Sequence, residues 1–262
     1  MPLKHVLVGH FVDDLYQVET VSERFRVYEN YIHALGFDGA TYTFFPNILW
    51  EFNNSFSPIF LHTQTYPTAF LKHYAEANFH ECDFAIRVGH KLRLEKMPPL
   101  PIALDWHDYE IAGLINENET SVIEVAREDY GIRNALTIPT QRPEAGIGGM
   151  SVISSEKGAR FQHLKQENME TLLRCTQLFH DISFSNSRNI AIFAQPFLQT
   201  LKNKEIQILR HLALGYRLKQ IDQGISYRYA TNILDELRAR MGGITKDKLM
   251  YLIGQLHLLD LI

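Results

Sequence analysis

The stretch FLKHYAEANFHECDF, residues 70–84, gathers histidine, cysteine, carboxylate and aromatic side chains in one short run. Three chemistries would use such a set: a metal centre, a reactive thiol, or the wall of a binding pocket. His80, Glu81, Cys82 and Asp83 are consecutive, and consecutive residues cannot all face one ion. No second cluster has ligand spacing, so no metal site is expected. Cys82 has no patterned histidine partner to activate it. The twelve histidines are scattered, and no nucleophile–base pair or pair of carboxylates has a recognisable setting. The expectation is therefore a protein that is not an enzyme, with no catalytic residue and no cofactor. What remains is spacing: a helix puts Phe70 and Tyr74 on one face, one turn apart. Taken alone, such a pair is more often plain core than a pocket wall.

The elements that carry these residues follow from hydrophobic periodicity. Phe25, Tyr28, Ile32 and Leu35 recur at three- and four-residue spacing and Gly36 follows, which predicts an amphipathic helix with a glycine stop. ATYTFFP (40–46) and SPIFLHT (57–63) read as strands, and YPTAFLKHYAEANF (66–79) as a helix with Pro67 in its first turn. The span 85–105 contains KMPPLP and reads as loop. TSVIEVARED (120–129) reads as a helix. NALTIPT (134–140) and GGMSVIS (148–154) read as strands joined by a Pro/Gly-rich turn. A long helix runs from Glu156 to Ile182 with Leu164, Leu172, Cys175, Phe179 and Ile182 on one side, and SFSNSRN (183–189) is a polar linker.

Beyond the linker the pattern is purely helical. KNKEIQILRHLALG (202–215) is expected to bury Ile206, Leu209 and Leu212, with Gly215 closing it. A short helix LKQID (218–222) leads to a turn at Gly224. Ser226 can cap YRYATNILDELRARM (227–241), whose inner face is Ala230, Ile233, Leu234, Leu237 and Met241. Thr245 can cap a last helix with Leu249, Leu252, Ile253 and Leu256 inward. Short helices joined by tight turns are the grammar of a helix-turn-helix.

The predicted class is α+β: an N-terminal α-β-α sandwich sensor domain with an antiparallel sheet (1–182), a linker (183–200), and a C-terminal all-α helix-turn-helix domain (201–262). Composition fits two modest folded domains, since 45% of the 262 residues are apolar and 21% charged. No apolar run reaches the roughly 18 residues of a membrane helix. The start, MPLKHVLVGHFVDD, soon turns acidic and lacks a small-residue cleavage site, so it does not read as a signal peptide. Two cysteines, Cys82 and Cys175, make no disulfide framework, which suggests a reduced, cytoplasmic protein. Net charge is −4, yet residues from 201 onward hold ten Lys/Arg against six Asp/Glu, leaving −8 on the rest. A basic tail on an acidic body is a cue for nucleic acid.

LKNKEIQILRHLALGYRLKQI resembles the opening of a LuxR-type DNA-binding domain, with Leu201, Glu205, Ile208, Leu209, Ala213, Gly215 and Ile221 at that family's positions. IS (225–226) is similar to its turn before the recognition helix, and LDLI to its usual close. The first part resembles the family's N-acyl-homoserine-lactone-binding domain through LGFDGATYTFFP (35–46), TYPTAFLKHY, Asp83 nine residues beyond Tyr74, Trp106, GIRNALTIP (131–139) and GIGGMSVIS (146–154). The resemblance implies a pocket between the helix and the sheet. Asp83 would accept the ligand's amide N–H and Tyr66 would donate to its acyl carbonyl, while Tyr74 and Trp106 pack around its head. Phe70 stands where the family has an indole donor, Val152 where it has Ser or Thr, and Phe84 where it has Pro. The span from Asp83 to Trp106 is also longer than usual. These departures imply a small signal other than a standard acyl-homoserine lactone, or a pocket that compensates from the extra loop.

The same resemblance places Arg228, Thr231, Asn232, Asp235 and Arg238 on the outward face of helix 227–241, with Lys202, Lys204, Arg217 and Lys219 in reach of phosphates. Asn232 would read adenine, and Arg228 guanine or a phosphate. The turn before Gly224 is short and Asp235 brings an acid near phosphates. The stripe Leu172, Cys175, Phe179 on the long helix implies a homodimer, which suits a palindromic operator on double-stranded DNA. The expected function is a divergent, solo, quorum-sensing type of ligand-responsive regulator with no membrane partner. The rival is an interaction or dimerisation protein that has lost specific DNA or lactone binding and modulates another regulator.

Overall fold

The computed structural model describes residues 2–51, 56–94, 102–142, 144–221 and 224–260. KMPPLP and the last two residues of LDLI fall outside them, as does the end of LKQID. The chain divides into two compact units. One comprises Met1–Phe44, Pro58–Pro143 and Ile147–Ser185; the other comprises Phe45–Ser57, Glu144–Gly146 and Asn186–Ile262.

The elements in chain order are α1 (Pro2–Tyr16), α2 (Val21–Ala34), β1 (Gly39–Pro46), α3 (Asn47–Trp50), β2 (Phe60–His62), α4 (Thr68–Glu76), α5 (Phe84–Leu94), β3 (Leu104–Asp105), α6 (Trp106–Ile111), α7 (Glu117–Glu128), β4 (Asn134–Arg142), β5 (Gly146–Ser154) and α8 (Ala159–Ser183). Then come α9 (Ser187–Ile190), α10 (Gln195–Leu198), α11 (Asn203–Ala213), α12 (Tyr227–Arg240) and α13 (Lys246–Gln255). The sheet is antiparallel, five-stranded, in the order β2-β1-β5-β4-β3. Thr41 pairs with His62 at one end, and Leu104 pairs with Thr137 at the other.

Side chains of the sheet alternate between two layers. On one face Tyr42 and Phe44 stack against Phe184 at 5.4 and 6.0 Å, Tyr42 meets Phe179 of α8 at 5.4 Å, and the Tyr42 hydroxyl lies 2.8 Å from His180 Nδ1. Gly148 of β5 belongs to this face: a Cβ there would come within 2.8 Å of the Tyr42 hydroxyl and 2.9 Å of Phe44. Helix α2 closes the layer through Tyr28, hydrogen-bonded to Thr176 of α8 at 2.7 Å, and it starts on a capping box made by Thr20 and Glu23. Helix α1, which the periodicity did not single out, adds buried Phe11 and Leu15. The other face of the sheet carries the cluster Tyr66, Phe70, Tyr74, Phe84, Trp106, Val122, Ile123, Ala135 and Ile153.

Several expectations needed revision. The helix expected over 66–79 is shorter, because Asn78 turns left-handed (φ 54°) and a 3-10 turn, Phe79–Glu81, follows. The span expected as loop from 85 opens with α5, whose N-terminus Asp83 caps. The strand expected over 57–63 pairs only at Phe60–His62. The long helix begins at Ala159, after Gly158 with φ 51°, and Leu164 on it is only half-buried. The 183–200 stretch holds short helical turns with buried Phe184, Phe193 and Phe197 where a polar linker was expected.

In the second unit α11 buries Ile208 and Leu209, while Ile206 and Leu212 are half-buried, a rotation of the inner face by about one residue from expectation. Glu205 is only 2% exposed there. It accepts from Arg240 Nη2 at 2.5 Å and from the Lys202 backbone N–H at 2.8 Å. Ser226 and Thr245 cap α12 and α13 as expected, and the expected inner faces of both helices are buried. The same unit includes α3, with Glu51 3.5 Å from Lys248.

Candidate functional site

Asp83 sits where α5 begins, and helix starts hold carboxylates because their first N–H groups are unpaired. Its Oδ1 accepts from the Ala85 N–H at 2.7 Å and its Oδ2 from the Tyr74 hydroxyl at 2.8 Å. Burial pushes the Asp83 carboxyl up; the hydrogen bonds from Tyr74, Ala85 and Ile86 only partly offset that. Burial and the Asp83 charge likewise hold Tyr74 well above its ordinary value. Both carboxylate oxygens keep lone-pair capacity after these bonds.

Tyr66, Phe70 and Tyr74 follow one another at four-residue steps along α4 and its lead-in, all buried. The Phe70 ring lies edge-on to Tyr74 at 5.9 Å and meets Tyr130 at 5.5 Å, and Phe60 and Phe79 flank Tyr74 at 5.6 and 5.9 Å. Tyr66 is 2% exposed, and its hydroxyl has no hydrogen-bond partner among the described residues. Burial, then the nearby Asp83 charge, raise its pKa. From the sheet side, Trp106 Nε1 donates to Thr137 Oγ1 at 2.9 Å, and Thr137 lies 2.7 Å from Ser151 Oγ.

The structure thus brings Tyr66, Phe70, Tyr74, Asp83 and Trp106 into one cluster, and it separates Val152 from them. Ser151 bonds to Thr137, and a Cβ on Gly149 would meet Thr137 at 3.6 Å, whereas Gly148 meets Tyr42 and Phe44. Val152, even-numbered like Gly148, faces the α8 layer. A shift of one residue along a strand exchanges its faces, and the sheet-side hydroxyls at the cluster are Ser151 and Thr137. Spacing also missed Arg87 of α5 and Glu119 of α7. Arg87 grips Glu119 through two bonds, at 2.5 and 3.0 Å, and donates to the Leu114 carbonyl at 2.9 Å. N-x-x-E over 116–119 is a capping-box signal that could have flagged Glu119. Nothing local could have paired it with a residue 32 positions away.

His80 and Cys82 lie between α4 and Asp83. Burial lowers the His80 pKa and raises that of Cys82, to which the charges of Asp83 and Glu81 add. Burial takes Cys175 up to about 12. Neither thiol is primed as a nucleophile. Among the described residues no group of three or more His, Cys, Asp or Glu is placed to hold a metal, and no helix is long and apolar enough to cross a membrane.

Residues 20–182, which contain the whole cluster, match the autoinducer binding domain family. The chain belongs to the autoinducer-binding-domain family. The match bears out the LuxR-type resemblance drawn from 35–46, 65–74, Asp83 and the paired strands. No curated protein matches the chain. Among solved structures it is similar to Escherichia coli SdiA, at 17% identity over 98% of each chain with a TM-score of 0.50. It is also similar to CepR2 of Burkholderia cenocepacia, described as an N-acylhomoserine-lactone-dependent LuxR-family transcription factor, at 12% identity over 73% of this chain and 99% of that one, TM-score 0.51. At these identities the likeness is one of fold.

The C-terminal helices of this autoinducer-binding-domain protein form a second candidate site. Lys202, Lys204, Arg217, Lys219, Arg228 and Asn232 are exposed. Lys202 and Lys204 from the start of α11 line a cleft of about 320 Å³ with Tyr229, Asn232 and Glu236 of α12. Arg217 and Lys219 are not among its lining residues. Two residues expected on the open face are otherwise engaged. Thr231 is half-buried and its hydroxyl donates to the Tyr227 carbonyl at 2.9 Å. Arg238 donates to the Ile244 carbonyl at 2.6 Å and to Asp235 Oδ1 at 2.9 Å, which closes the end of α12 and neutralises the acid. The helical period placed Arg238 near the surface, but the turn at 241–244 folds back over it.

Proposed function

We propose that this protein is a ligand-responsive transcriptional regulator of the quorum-sensing type. It takes an acyl-homoserine-lactone-like or related amide signal at the Tyr66–Asp83 cluster, and it binds operator DNA as a homodimer. One observation carries the reading. The buried Tyr66 and Tyr74 rings and a desolvated Asp83 carboxylate belong to one aromatic cluster within the autoinducer-binding region. A group that brings one acceptor and one donor would suit the Tyr66 hydroxyl and that carboxylate, and the fit would stabilise the fold by mass action. The exposed Lys202, Lys204, Arg228 and Asn232 support DNA binding, the lysines through phosphates and the α12 residues through base edges. The rival, a dimerisation protein that no longer reads DNA, draws support from Thr231 and Arg238, both withdrawn from the open face.

The test has two arms. Native mass spectrometry of protein purified from its own cells should show a bound small molecule. Selection of genomic fragments at low salt should enrich a palindromic site. Unliganded protein that melts cooperatively and responds to no acyl amide would overturn the first arm. Fragments recovered without enrichment at low salt would favour the rival.

A further inference from the structure

We infer that α3 couples the sensor to the C-terminal helices: the segment Phe45–Glu51, continuous with strand β1, is part of the core of the helical unit and holds that unit to the sensor's first strand. That the helical unit binds DNA is the reading given above; the coupling itself does not depend on it.

The chain enters the helical unit at three places. It does so at Asn186, but also within β1, between Phe44 and Phe45, and at the hairpin tip Glu144–Gly146. The entry from β1 is more than a passing loop. Helix α3 has four residues, too few to persist alone, because one turn fixes several residues for a single hydrogen bond. Tertiary contacts hold it. The Asn47 backbone N–H donates to the Ala145 carbonyl and its Nδ2 to the Glu144 carbonyl, both at 2.7 Å. Ile48 and Leu49 are 0% and 2% exposed, and the Phe45 ring lies 5.6 Å from that of Trp50. Helix α3 packs against α13, and Glu51 pairs with Lys248 of α13 at 3.5 Å. Helix α13 packs in turn on α11 and on α12, the helix proposed to read bases. Freeing α3 would return two large apolar side chains to water, so it works as core and not as a detachable cover.

The strands on either side of α3 border the aromatic cluster. β1 pairs with β2 through Thr43 and Phe60, and the Phe60 ring lies edge-on to Tyr74 at 5.6 Å. Thr41 and Thr43 tie the strands further, donating to the Leu61 and Ile59 carbonyls at 3.1 and 2.8 Å. A displacement of Phe60 therefore acts on β1. No slack separates β1 from α3, because Pro46 both ends the strand and is the N-cap of the helix.

Hydrogen exchange on the full chain, read peptide by peptide, tests the route. Leu49→Ala should speed exchange of the α13 amides roughly thirtyfold or more, the low end of a buried Leu→Ala loss. Coupling is reciprocal, so Leu252→Ala on α13 should speed exchange across 47–51 and leave β4 unchanged. From the sensor side, Phe60→Ala should speed α13 exchange several-fold, whereas Val122→Ala, in the same cluster but on α7, should not. Glu51→Lys and Lys248→Glu should each speed α13 exchange by a small factor and restore it when combined, a readout that holds even where Leu49→Ala fails to fold. Exchange in α13 that ignores both Leu49→Ala and the charge swap would overturn the inference. So would α3 amides that follow β4 and not Leu252→Ala, or equal effects of Phe60→Ala and Val122→Ala. A random-sequence duplex left unbound at low salt would instead overturn the DNA reading and leave the exchange results standing.

Discussion

Replacing Glu119 tests whether the site's frame is held by a buried carboxylate that no local pattern pairs with its partner. Glu119 is 3% exposed. It closes the capping box of α7, with the Asn116 N–H 2.9 Å from Oε2, and receives two bonds from Arg87 of α5. Glu119→Ala removes a capping interaction of about 1 kcal/mol. It also removes bonds to a guanidinium that is about half exposed, so solvent screening reduces their value to about 1–2 kcal/mol. The sum, about 2–3 kcal/mol, lowers the melting temperature by roughly 5–10 °C for a unit of this size. Glu119→Gln keeps the volume and the oxygen that accepts from the Asn116 N–H, loses the charge and the oxygen that accepts from Arg87 Nε, and should cost about 1 kcal/mol. The pH dependence has a definite sign. Burial raises the Glu119 carboxyl, but the Arg87 bond, the Asn116 N–H and the Arg87 charge together bring it below its ordinary value of 4.5. A depressed carboxyl stabilises the fold above the unfolded pKa, and that contribution is lost as pH falls through the folded value. The gap between the native sequence and Glu119→Gln should therefore be full at pH 7 and shrink below about pH 4.5. Urea melts in a Trp50→Phe background isolate Trp106, which lies in the same unit as Glu119. Equal stability of all three proteins at pH 7, or a gap that widens in acid, would refute the reasoning.

Asp83→Asn should raise the melting temperature of the free protein at pH 7, because burial holds the Asp83 pKa up and the fold loses stability as pH rises through it; the one Asn carbonyl oxygen retains the cap on Ala85, and the amide N–H on the other side can donate to the Tyr74 hydroxyl. The same variant should lose most of its ligand-induced thermal shift, so a lower free melting temperature with ligand response intact contradicts the assignment. Glu205→Ala should destabilise the helical unit by about 2–3 kcal/mol, since it strips a buried acceptor from Arg240 and the Lys202 N–H; circular dichroism melts check it. Arg228→Ala and Asn232→Ala should change which bases are preferred in a binding-site selection. Arg238→Ala should loosen the end of α12 without changing that preference, and a switch of preference by Arg238→Ala would place it back on the reading face.

Much of the fold was legible because helices and strands announce themselves locally. Thr20–Glu23, Ser226 and Thr245 are caps, and their side-chain bonds span three residues. The inner faces of α12 and α13 repeat at helical period and were read correctly. Failures came where two local signals competed. The prolines of KMPPLP drew the whole span from 85 into a loop, although Asp83 followed by FAIRV is itself a helix start. Asn78 allows the left-handed turn that separates α4 from α5, and no apolar period reveals that separation.

The site was legible to the extent that its residues share an element. Spacing put Phe70 and Tyr74 on one helical face, and the family resemblance added Tyr66 from the lead-in to α4, Asp83 from the next helix start, and Trp106. Val152 fails for a different reason. A strand offers only two faces, and a one-residue error in aligning GGMSVIS exchanges them, so a hydroxyl that looked lost is present as Ser151. Arg238 fails for a third. Its position on α12 is as expected, but the position does not say that the 241–244 turn brings the Ile244 carbonyl within 2.6 Å of it. Periodicity locates a side chain on a surface; only the fold tells what else has come to that surface.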